Sequence, residues 1–304
     1  METELAKLKA ERNAVILAHN YMPKEVQEVA DYLGDSLDLA LAAANADAKV
    51  LVFAGVYFMA ETAAVLNPDK LVLIPDPSAG CTLVDSITAE DVLKWRARNP
   101  NGVVVTYINS SIEVKAVSDY VCTSANCHKI VEAIPRDRPV LFVPDRNLGA
   151  YIKYVTGREN LEIWSGTCYV HERMTRDVLY SVAEREADAE LLVHPEASGT
   201  VDLLREGRLR VRVLSTQGMV KHVKERGRGA FIIATELGLL DRIRREAPEA
   251  RLIPALEDAV CMYMKLITLD KIKRSLRELV YRVQVPEDVA KRARAAIERM
   301  LEFR

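Results

Sequence analysis

KLVLIPDPSAGC (residues 70–81) is a short apolar segment that runs into a cysteine-containing loop, and the same arrangement occurs three times in this chain. The other two copies are ENLEIWSGTC (159–168) and RLIPALEDAVC (251–261). They end in Cys81, Cys168 and Cys261, which are separated by 87 and then 93 residues. Recurrence over such a period indicates that the chain is built from three homologous units.

Two further elements recur in the same register. Each unit has an apolar strand that ends in a polar-x-polar triplet: His19-Asn20-Tyr21, Tyr107-Ile108-Asn109 and His194-Pro195-Glu196. Side chains two apart on a strand point the same way, so each triplet presents two polar groups to one place. A hydroxyl side chain also recurs just before a helical stretch, at Ser36, Ser124 and Thr216. Residues of this type cap helix N-termini, and we predict that they do so here.

Apolar runs of strand length alternate with helical patterns along the whole chain. Examples are KVLVFAG (49–55), GVVVTYI (102–108) and AFIIATE (230–236). Continuously apolar strands between helices are typical of parallel sheets that helices cover on both faces. The sequence therefore predicts an α/β protein made of three homologous three-layer α/β/α sandwiches with short parallel sheets, arranged with pseudo-threefold symmetry around a central site.

We place the three units at residues 1–98, 99–187 and 188–304, each with one of the three cysteines. The last unit also includes a closing amphipathic helix in VPEDVAKRARAAIERMLEFR (285–304), which we expect to pack back on the first copy. Ligands of open parallel sheets bind beyond the carboxyl ends of the strands. All the recurring elements lie at such ends or at the helix starts that follow, which predicts one site assembled from three units.

Composition excludes several classes of function. The chain has 304 residues, 49% of them apolar, with 42 basic and 44 acidic residues and a formal charge of -2. No basic tract offers a surface for nucleic acid, and no run approaches the roughly 18 apolar residues of a membrane span. The N-terminus lacks a signal-peptide core, so the cytoplasm is the expected compartment. Cysteines are reduced there, which favours metal, catalytic or packing roles over a disulfide framework.

The recurring cysteines favour a metal centre over simple packing. Free cysteine is often just a buried apolar residue, but packing gives no reason for cysteine in all three copies. A structural zinc or an electron-transfer cluster normally takes four protein ligands, so three leave one position vacant. An iron-sulfur cluster held by three thiolates exposes one iron as a Lewis acid that promotes loss of water. Zinc with three thiolates and water is the alternative.

The remaining cysteines, Cys122 and Cys127, lie close to His128 but do not recur in the other units. Positions five apart on a helix also diverge in direction. We therefore reject a local metal site and interpret this pair as packing residues around Ser124.

Three helix starts facing one cavity suit a small polyanion, because helix N-termini combine free N–H groups with a positive dipole end. The residues alone leave three functions open. One is a cluster-dependent lyase or condensing enzyme that acts on a small anion, and the second is an iron-sulfur sensor of oxygen or of a metabolite. The third is a zinc hydrolase.

The combined motifs resemble the quinolinate synthase family. They are HNY (19–21), GDS (34–36), FAGVYFMAET (53–62), the Cys81 loop, YIN (107–109), TSAN (123–126), GTCYVH (166–171), HPE (194–196), STQGM (215–219) and CMYMKLITL (261–269). The resemblance implies three homologous α/β domains around a catalytic 4Fe-4S cluster with three cysteine ligands. It implies a transferase-class enzyme that condenses iminoaspartate with dihydroxyacetone phosphate, loses phosphate and two waters, and makes quinolinate for NAD biosynthesis. An L-aspartate oxidase or dehydrogenase would supply the iminoaspartate.

Carried over by motif, the resemblance also implies roles for individual residues. The cluster ligands would be Cys81, Cys168 and Cys261. The substrate pocket would be lined by His19, Ser36, Tyr107, Asn109, Ser124, His194, Glu196 and Thr216. Glu196 would be the general base, Tyr21 or Tyr107 a proton-transfer partner, and His171 a further contributor, while the open iron would assist dehydration. Some members form a disulfide from extra cysteines near the third ligand; this chain has only Cys261 there, so no such redox switch is expected.

Overall fold

The computed structural model describes residues 2–303 and contains three four-stranded sheets. The first comprises β1 (Ala14–His19), β2 (Tyr32–Gly34), β3 (Val50–Ala54) and β4 (Leu71–Leu73). The second comprises β5 (Val103–Tyr107), β6 (Tyr120–Cys122), β7 (Val140–Val143) and β8 (Leu161–Ile163). The third comprises β9 (Glu190–Val193), β10 (Val211–Val213), β11 (Gly229–Ala234) and β12 (Ala250–Pro254). All pairings between these strands are parallel, in the orders β2-β1-β3-β4, β6-β5-β7-β8 and β10-β9-β11-β12. The predicted α/β class is confirmed.

Helices alternate with these strands. They are α1 (Glu2–Arg12), α2 (Lys24–Glu28), α3 (Ser36–Asn45), α4 (Tyr57–Leu66), α5 (Ala89–Arg98), α6 (Ile112–Ala116), α7 (Cys127–Ala133), α8 (Arg146–Thr156), α9 (Arg176–Arg185), α10 (Thr200–Glu206), α11 (Thr216–Arg226), α12 (Gly238–Glu246), α13 (Met262–Lys265), α14 (Leu269–Glu278) and α15 (Glu287–Glu302). Short 3-10 turns occur at Val84–Ser86 and His171–Arg173. Within residues 2–303, no helix is both long and apolar enough to cross a membrane.

The central strands form because they are apolar on both faces. Every residue of β3 and β5 is buried, which is what helices on both sides of a parallel sheet require. Each sheet lies within one of the three predicted ranges, and the boundaries at residues 98/99 and 187/188 stay a proposal. We refer to the sheets, with the helices that connect their strands, as the first, second and third units.

One hydrogen bond repeats in all three units and supports their common ancestry. It runs from the first turn after the third strand to the residue two positions before the unit's cysteine. The pairs are Tyr57 N to Ala79 O (2.7 Å), Arg146 N to Gly166 O (2.7 Å) and Leu237 N to Ala259 O (2.9 Å). The residues just before each cysteine are therefore held by an equivalent backbone hydrogen bond in each copy.

The units contact one another in a cycle. Helix α2 packs against α12, α4 against α6, and α8 against α10, so each unit touches both others. Two of these junctions use a buried side chain that donates to a carbonyl at the start of the neighbouring helix. Gln27 Nε2 donates to Gly238 O (2.8 Å), and Lys115 Nζ lies 3.4 Å from Phe58 O and 3.0 Å from Thr62 Oγ1. The cyclic arrangement brings the strand ends of all three units together.

The closing helix differs in part from the prediction. Helix α15 packs chiefly against α6 and β6 of the second unit, and it also contacts α4 of the first. Its buried stripe is Ala293, Ala296, Ile297 and Met300. These small and apolar side chains pack at the interface between the first and second units. The helix therefore contacts both units and not the first copy alone.

A close approach between the first and third units predicts that a single added methyl group destabilises the protein. A Cβ added to Gly238 would lie 2.6 Å from Tyr21 O, in the first unit. Backbone cannot yield cheaply, so we expect Gly238→Ala to lower the free energy of unfolding by about 1 to 3 kcal/mol despite its better helix propensity. Chemical denaturation measures this. Gly218→Ala is the control, because its Cβ would meet side-chain atoms and no backbone at close range: Leu214 at 3.3 Å and the Ser215 hydroxyl at 3.5 Å. Equal stability of Gly238→Ala and the parent protein would contradict this packing.

Candidate active site

A cavity lies where the three units meet, at the carboxyl ends of the strands. All thirteen site residues predicted from the sequence line it: His19, Tyr21, Ser36, Cys81, Tyr107, Asn109, Ser124, Cys168, His171, His194, Glu196, Thr216 and Cys261. Every unit contributes side chains, so the geometry is that of one composite site. Among the described residues that line the cavity, none is a lysine or an arginine.

The recurring hydroxyls are not the helix caps that the sequence suggested. Asp35 caps α3 by accepting from two backbone N–H groups, and Ser215 caps α11 by accepting from Gly218 N. Ser36 and Thr216 are instead the first residues of those helices. In the second unit, Ser124 lies in the turn that precedes α7. Because a neighbouring residue caps α3 and α11, the hydroxyls of Ser36 and Thr216 are left to line the cavity.

Each cavity cysteine lies in the same local environment. The sulfur of Cys81 receives the backbone N–H groups of Leu83 and Val84, two and three residues further along the chain. The donors are Val170 and His171 at Cys168, and Tyr263 and Met264 at Cys261. Two amides directed at each sulfur suit a thiolate acceptor.

Ionisation of the free thiols is nevertheless disfavoured. Burial raises the pKa of Cys81 to about 12 and outweighs the backbone N–H groups, which act in the opposite direction. Burial likewise raises the pKa of Cys168 and of Cys261. Metal coordination stabilises thiolates, because the metal replaces the proton. The donor set therefore fits a thiolate-ligated centre that uses all three sulfurs.

A second group of potential ligands overlaps the first. Cys168, His171 and Glu196 each offer an atom within 4.8 Å of the others. His171 Nδ1 is 3.3 Å from Cys168 Sγ and 3.1 Å from Glu196 Oε2. This group could hold a single metal ion without Cys81 or Cys261.

Glu196 is a buried carboxylate of the cavity that makes a short hydrogen bond. Its exposed fraction is 3%, and it accepts a hydrogen bond of 2.5 Å from the Tyr107 hydroxyl. Burial alone would raise the pKa of Glu196, but the contact with His171 and the hydrogen bond from the Tyr107 hydroxyl hold it below its usual range. Glu196 is therefore ionised, and its contacts with Tyr107 and His171 fix the orientation of the carboxylate.

The two histidines that begin triplets are uncharged. Burial lowers the pKa of both His19 and His194 to about 3. His19 Nδ1 accepts from Tyr21 N at 3.2 Å, which places the proton of the neutral ring on Nε2 and makes that atom a donor. His194 Nδ1 is buried and has no hydrogen-bond partner within the part of the chain that the structure describes. Both rings can therefore bind a substrate oxygen as neutral groups.

Thr235 is a site residue that the sequence did not reveal. Its hydroxyl lies 2.5 Å from the Tyr21 hydroxyl and 2.8 Å from His171 Nε2, and only 1% of the residue is exposed. It joins Tyr21 to the chain formed by His171, Glu196 and Tyr107. The residue follows β11, where the other units have Gly55 and Pro144, so the repeat gave no signal for it.

Glu236 and Lys265 are also absent from the predicted set, although Glu236 lines the cavity. The fully buried Glu236 carboxylate accepts from Cys261 N (3.1 Å) and from Gly238 N (2.7 Å). It also pairs with Lys265 Nζ at 2.8 Å, and that amine donates to Tyr21 O. The pair thus connects the Cys261 loop of the third unit to the triplet of the first.

The chain resembles known proteins over its whole length. The family model described as quinolinate synthetase A protein matches residues 3–302. A quinolinate synthase of Pyrobaculum aerophilum is 61% identical, covering 100% of this chain and 99% of the relative. One from Thermus thermophilus is 51% identical over 98% of this chain and 96% of the relative, and one from Dehalococcoides mccartyi is 46% identical with the same coverages.

Proposed function

Because the chain belongs to the quinolinate synthase family, we propose that it condenses iminoaspartate with dihydroxyacetone phosphate to form quinolinate. Phosphate and two waters leave in this reaction, which serves de novo NAD biosynthesis. The observation that carries the proposal is the single cavity, in which three cysteines, three hydroxyls and a carboxylate-imidazole-phenol chain come together from three units.

We assign the cofactor to the three cavity cysteines. Cys81, Cys168 and Cys261 would hold a 4Fe-4S cluster, and the matching pairs of backbone N–H donors at the three sulfurs support this assignment. When bound, such a cluster supplies an iron with an open coordination position that acts as a Lewis acid on a hydroxyl group. Glu236 holds the Cys261 backbone and so positions the third ligand.

The substrates are small anions, and the cavity can bind their oxygens without a cationic side chain. Ser36, Ser124 and Thr216 supply hydroxyls, and α3 and α11 direct their N-termini to the same place. The hydroxyl of Thr216 is oriented by Asn20 Nδ2, which lies 2.9 Å away. His19 Nε2 and Asn109 add neutral donors. Carboxylate and phosphate oxygens are the groups that these donors suit.

Proton transfer is assigned to the hydrogen-bonded chain around Glu196. The ionised carboxylate accepts a proton from substrate, and the Tyr107 hydroxyl at 2.5 Å stabilises it before and after transfer. On its other side, His171 connects Glu196 through Thr235 to Tyr21. Tyr21 and Glu196 thereby act at different points of the cavity while sharing one network.

Thr235 is a positioning residue in this scheme, and removing its hydroxyl tests that role. We expect Thr235→Val, which keeps the shape but removes two hydrogen bonds, to lower kcat roughly 10- to 100-fold with a smaller change in KM. Iron and sulfide content should not change. Thr235→Ser retains the hydroxyl and is the matched control. Steady-state kinetics under anaerobic conditions measure the effect, and equal kcat values for the two variants would contradict the role.

The direct test of the function is to supply both substrates. Anaerobically purified protein with measured iron and sulfide is mixed with dihydroxyacetone phosphate and with iminoaspartate generated in place by an L-aspartate oxidase or dehydrogenase. We expect quinolinate, detected by chromatography and mass, only when both substrates and the protein are present. Cluster-loaded protein that forms no quinolinate would overturn the proposal. The cytoplasmic location and this upstream partner remain expectations from the sequence.

One observation favours a second candidate, a hydrolase with a single metal ion. Cys168, His171 and Glu196 form a compact ligand group that could hold zinc and activate a water. That candidate gives Glu196 a ligand role and leaves Cys81 and Cys261 without one. Colourless, air-stable activity with one zinc per chain would support it.

A further inference from the structure

Cys122 and Cys127 lie outside the cavity lining, yet their sulfur atoms are only 3.0 Å apart. Both side chains are completely buried. Cys122 is the last residue of β6 and Cys127 the first residue of α7, so the pair flanks the four-residue turn that contains Ser124. The sequence interpretation of these cysteines as packing residues does not account for a sulfur-sulfur contact so much shorter than ordinary packing.

Both thiols are free in this structure. We propose that, on exposure to an oxidant, Cys122 and Cys127 form an intramolecular disulfide that stabilises the Ser124 turn. A disulfide bond is about 2.05 Å long, so the sulfurs would need to approach by only about 1 Å. The turn is already held at its ends. Thr123 N donates to Asn126 Oδ1 (2.8 Å), and Asn126 Nδ2 donates to Met300 O (3.1 Å) on α15. A small adjustment of the two cysteine side chains would therefore close the bond without displacing Ser124.

The reaction is a two-electron oxidation by a small oxidant of the hydroperoxide class. One thiol attacks a peroxide oxygen and becomes a sulfenic acid. The O–O bond breaks in this step, and the other half of the peroxide leaves as an alcohol or water. The second sulfur then attacks the first and displaces water, so both thiol protons leave with the reduced oxidant. Burial, followed by the neighbouring thiol, raises the pKa of Cys127, so the folded pair reacts slowly. We expect the bond to form most readily while the chain folds and, once buried, to resist external thiols.

The bond can be detected independently of catalysis. Anaerobic, cluster-loaded protein is treated with tert-butyl hydroperoxide or with buffer, and the oxidant is removed. The protein is then unfolded in guanidinium with N-ethylmaleimide and digested without reduction. A second portion is oxidised during unfolding and refolding, so that burial cannot hide the thiols. Both cysteines lie in one tryptic peptide, residues 116–129. We expect that peptide to lack maleimide and to be two hydrogens lighter than the dithiol form, while Cys81, Cys168 and Cys261 are alkylated.

Thermal stability distinguishes a disulfide that stabilises the turn from an adventitious one. Closing this short loop should raise the Tm of oxidised over reduced protein by about 4 °C, with kcat and KM for quinolinate formation within about twofold. Cys122→Ala and Cys127→Ala should show no Tm difference between the two treatments. Full maleimide labelling of both cysteines in both portions would overturn the proposal, as would disulfides to other cysteines or an unchanged Tm. The maleimide labelling, the disulfide pairing and the Tm do not depend on whether quinolinate is made.

Discussion

Replacing any one of Cys81, Cys168 or Cys261 with serine is expected to abolish the bound cluster and the visible absorption of the anaerobic protein. A serine hydroxyl is a poor substitute for a thiolate, and the remaining two sulfurs do not suffice to hold the cofactor. Loss of the Lewis acid should lower kcat/KM by roughly 1,000-fold or more. Iron and sulfide analysis, absorption spectra and anaerobic turnover measure the three effects in one preparation.

The remaining cysteines provide the control for this experiment. Cys122→Ser and Cys127→Ser change thiols that are more deeply buried than the three cavity thiols but lie outside the cavity lining, so both variants should retain iron, sulfide and turnover. Equal loss of iron, sulfide and turnover in all five variants would contradict the ligand assignment. The pattern also tests the single-metal candidate, because that site needs Cys168 but neither Cys81 nor Cys261. Metal loss confined to Cys168→Ser would favour the hydrolase.

Repetition is what made the fold and the site's membership predictable. A strand, a polar triplet and a cysteine loop that recur three times must occupy equivalent places, and parallel sheets direct such places to one edge. The repeated hydrogen bond from Tyr57, Arg146 or Leu237 to the approach of each cysteine shows this equivalence in the backbone. Residues that recur could therefore be assigned to the cavity from their register alone.

Features that differ between the units were the ones missed. Thr235 follows its strand where the other units have glycine and proline, and Glu236 occupies the position of Val56 and Asp145. Their contacts cross between units. Thr235 contacts the Tyr21 hydroxyl of the first unit, and Glu236 is connected through Lys265 to the Tyr21 backbone carbonyl. A sequence pattern records which residues are equivalent. It does not record which side chain reaches across a junction.

The capping error has a similar physical origin. Asp35 and Ser215 each stand beside a hydroxyl residue that could cap a helix equally well by composition. Which of two neighbours caps depends on where the helix begins, and that is fixed by the strand that precedes it. The sequence predicts contact of α15 with the first unit alone, because amphipathicity reveals a buried stripe but not the surface that it covers.

Glu196→Gln is expected to produce the largest loss of turnover among variants that keep the cofactor. The amide has the same shape and its carbonyl can still accept from Tyr107, but it cannot take a proton, so kcat should fall by about 100- to 10,000-fold. Tyr107→Phe leaves the carboxylate in place and should cost less. Anaerobic kinetics of both variants, with iron and sulfide measured on the same samples, make the comparison.

The metal content of Glu196→Gln then decides between two roles for one carboxylate. Glutamine is a weak ligand, so a metal ion held by Cys168, His171 and Glu196 would be lost together with activity. A cluster held by three cysteines would remain, because Glu196 then serves the substrate and not the metal. Full cofactor with unchanged turnover would exclude Glu196 as the base. Full cofactor with lost turnover would leave proton transfer as the function of the short contact between Glu196 and Tyr107.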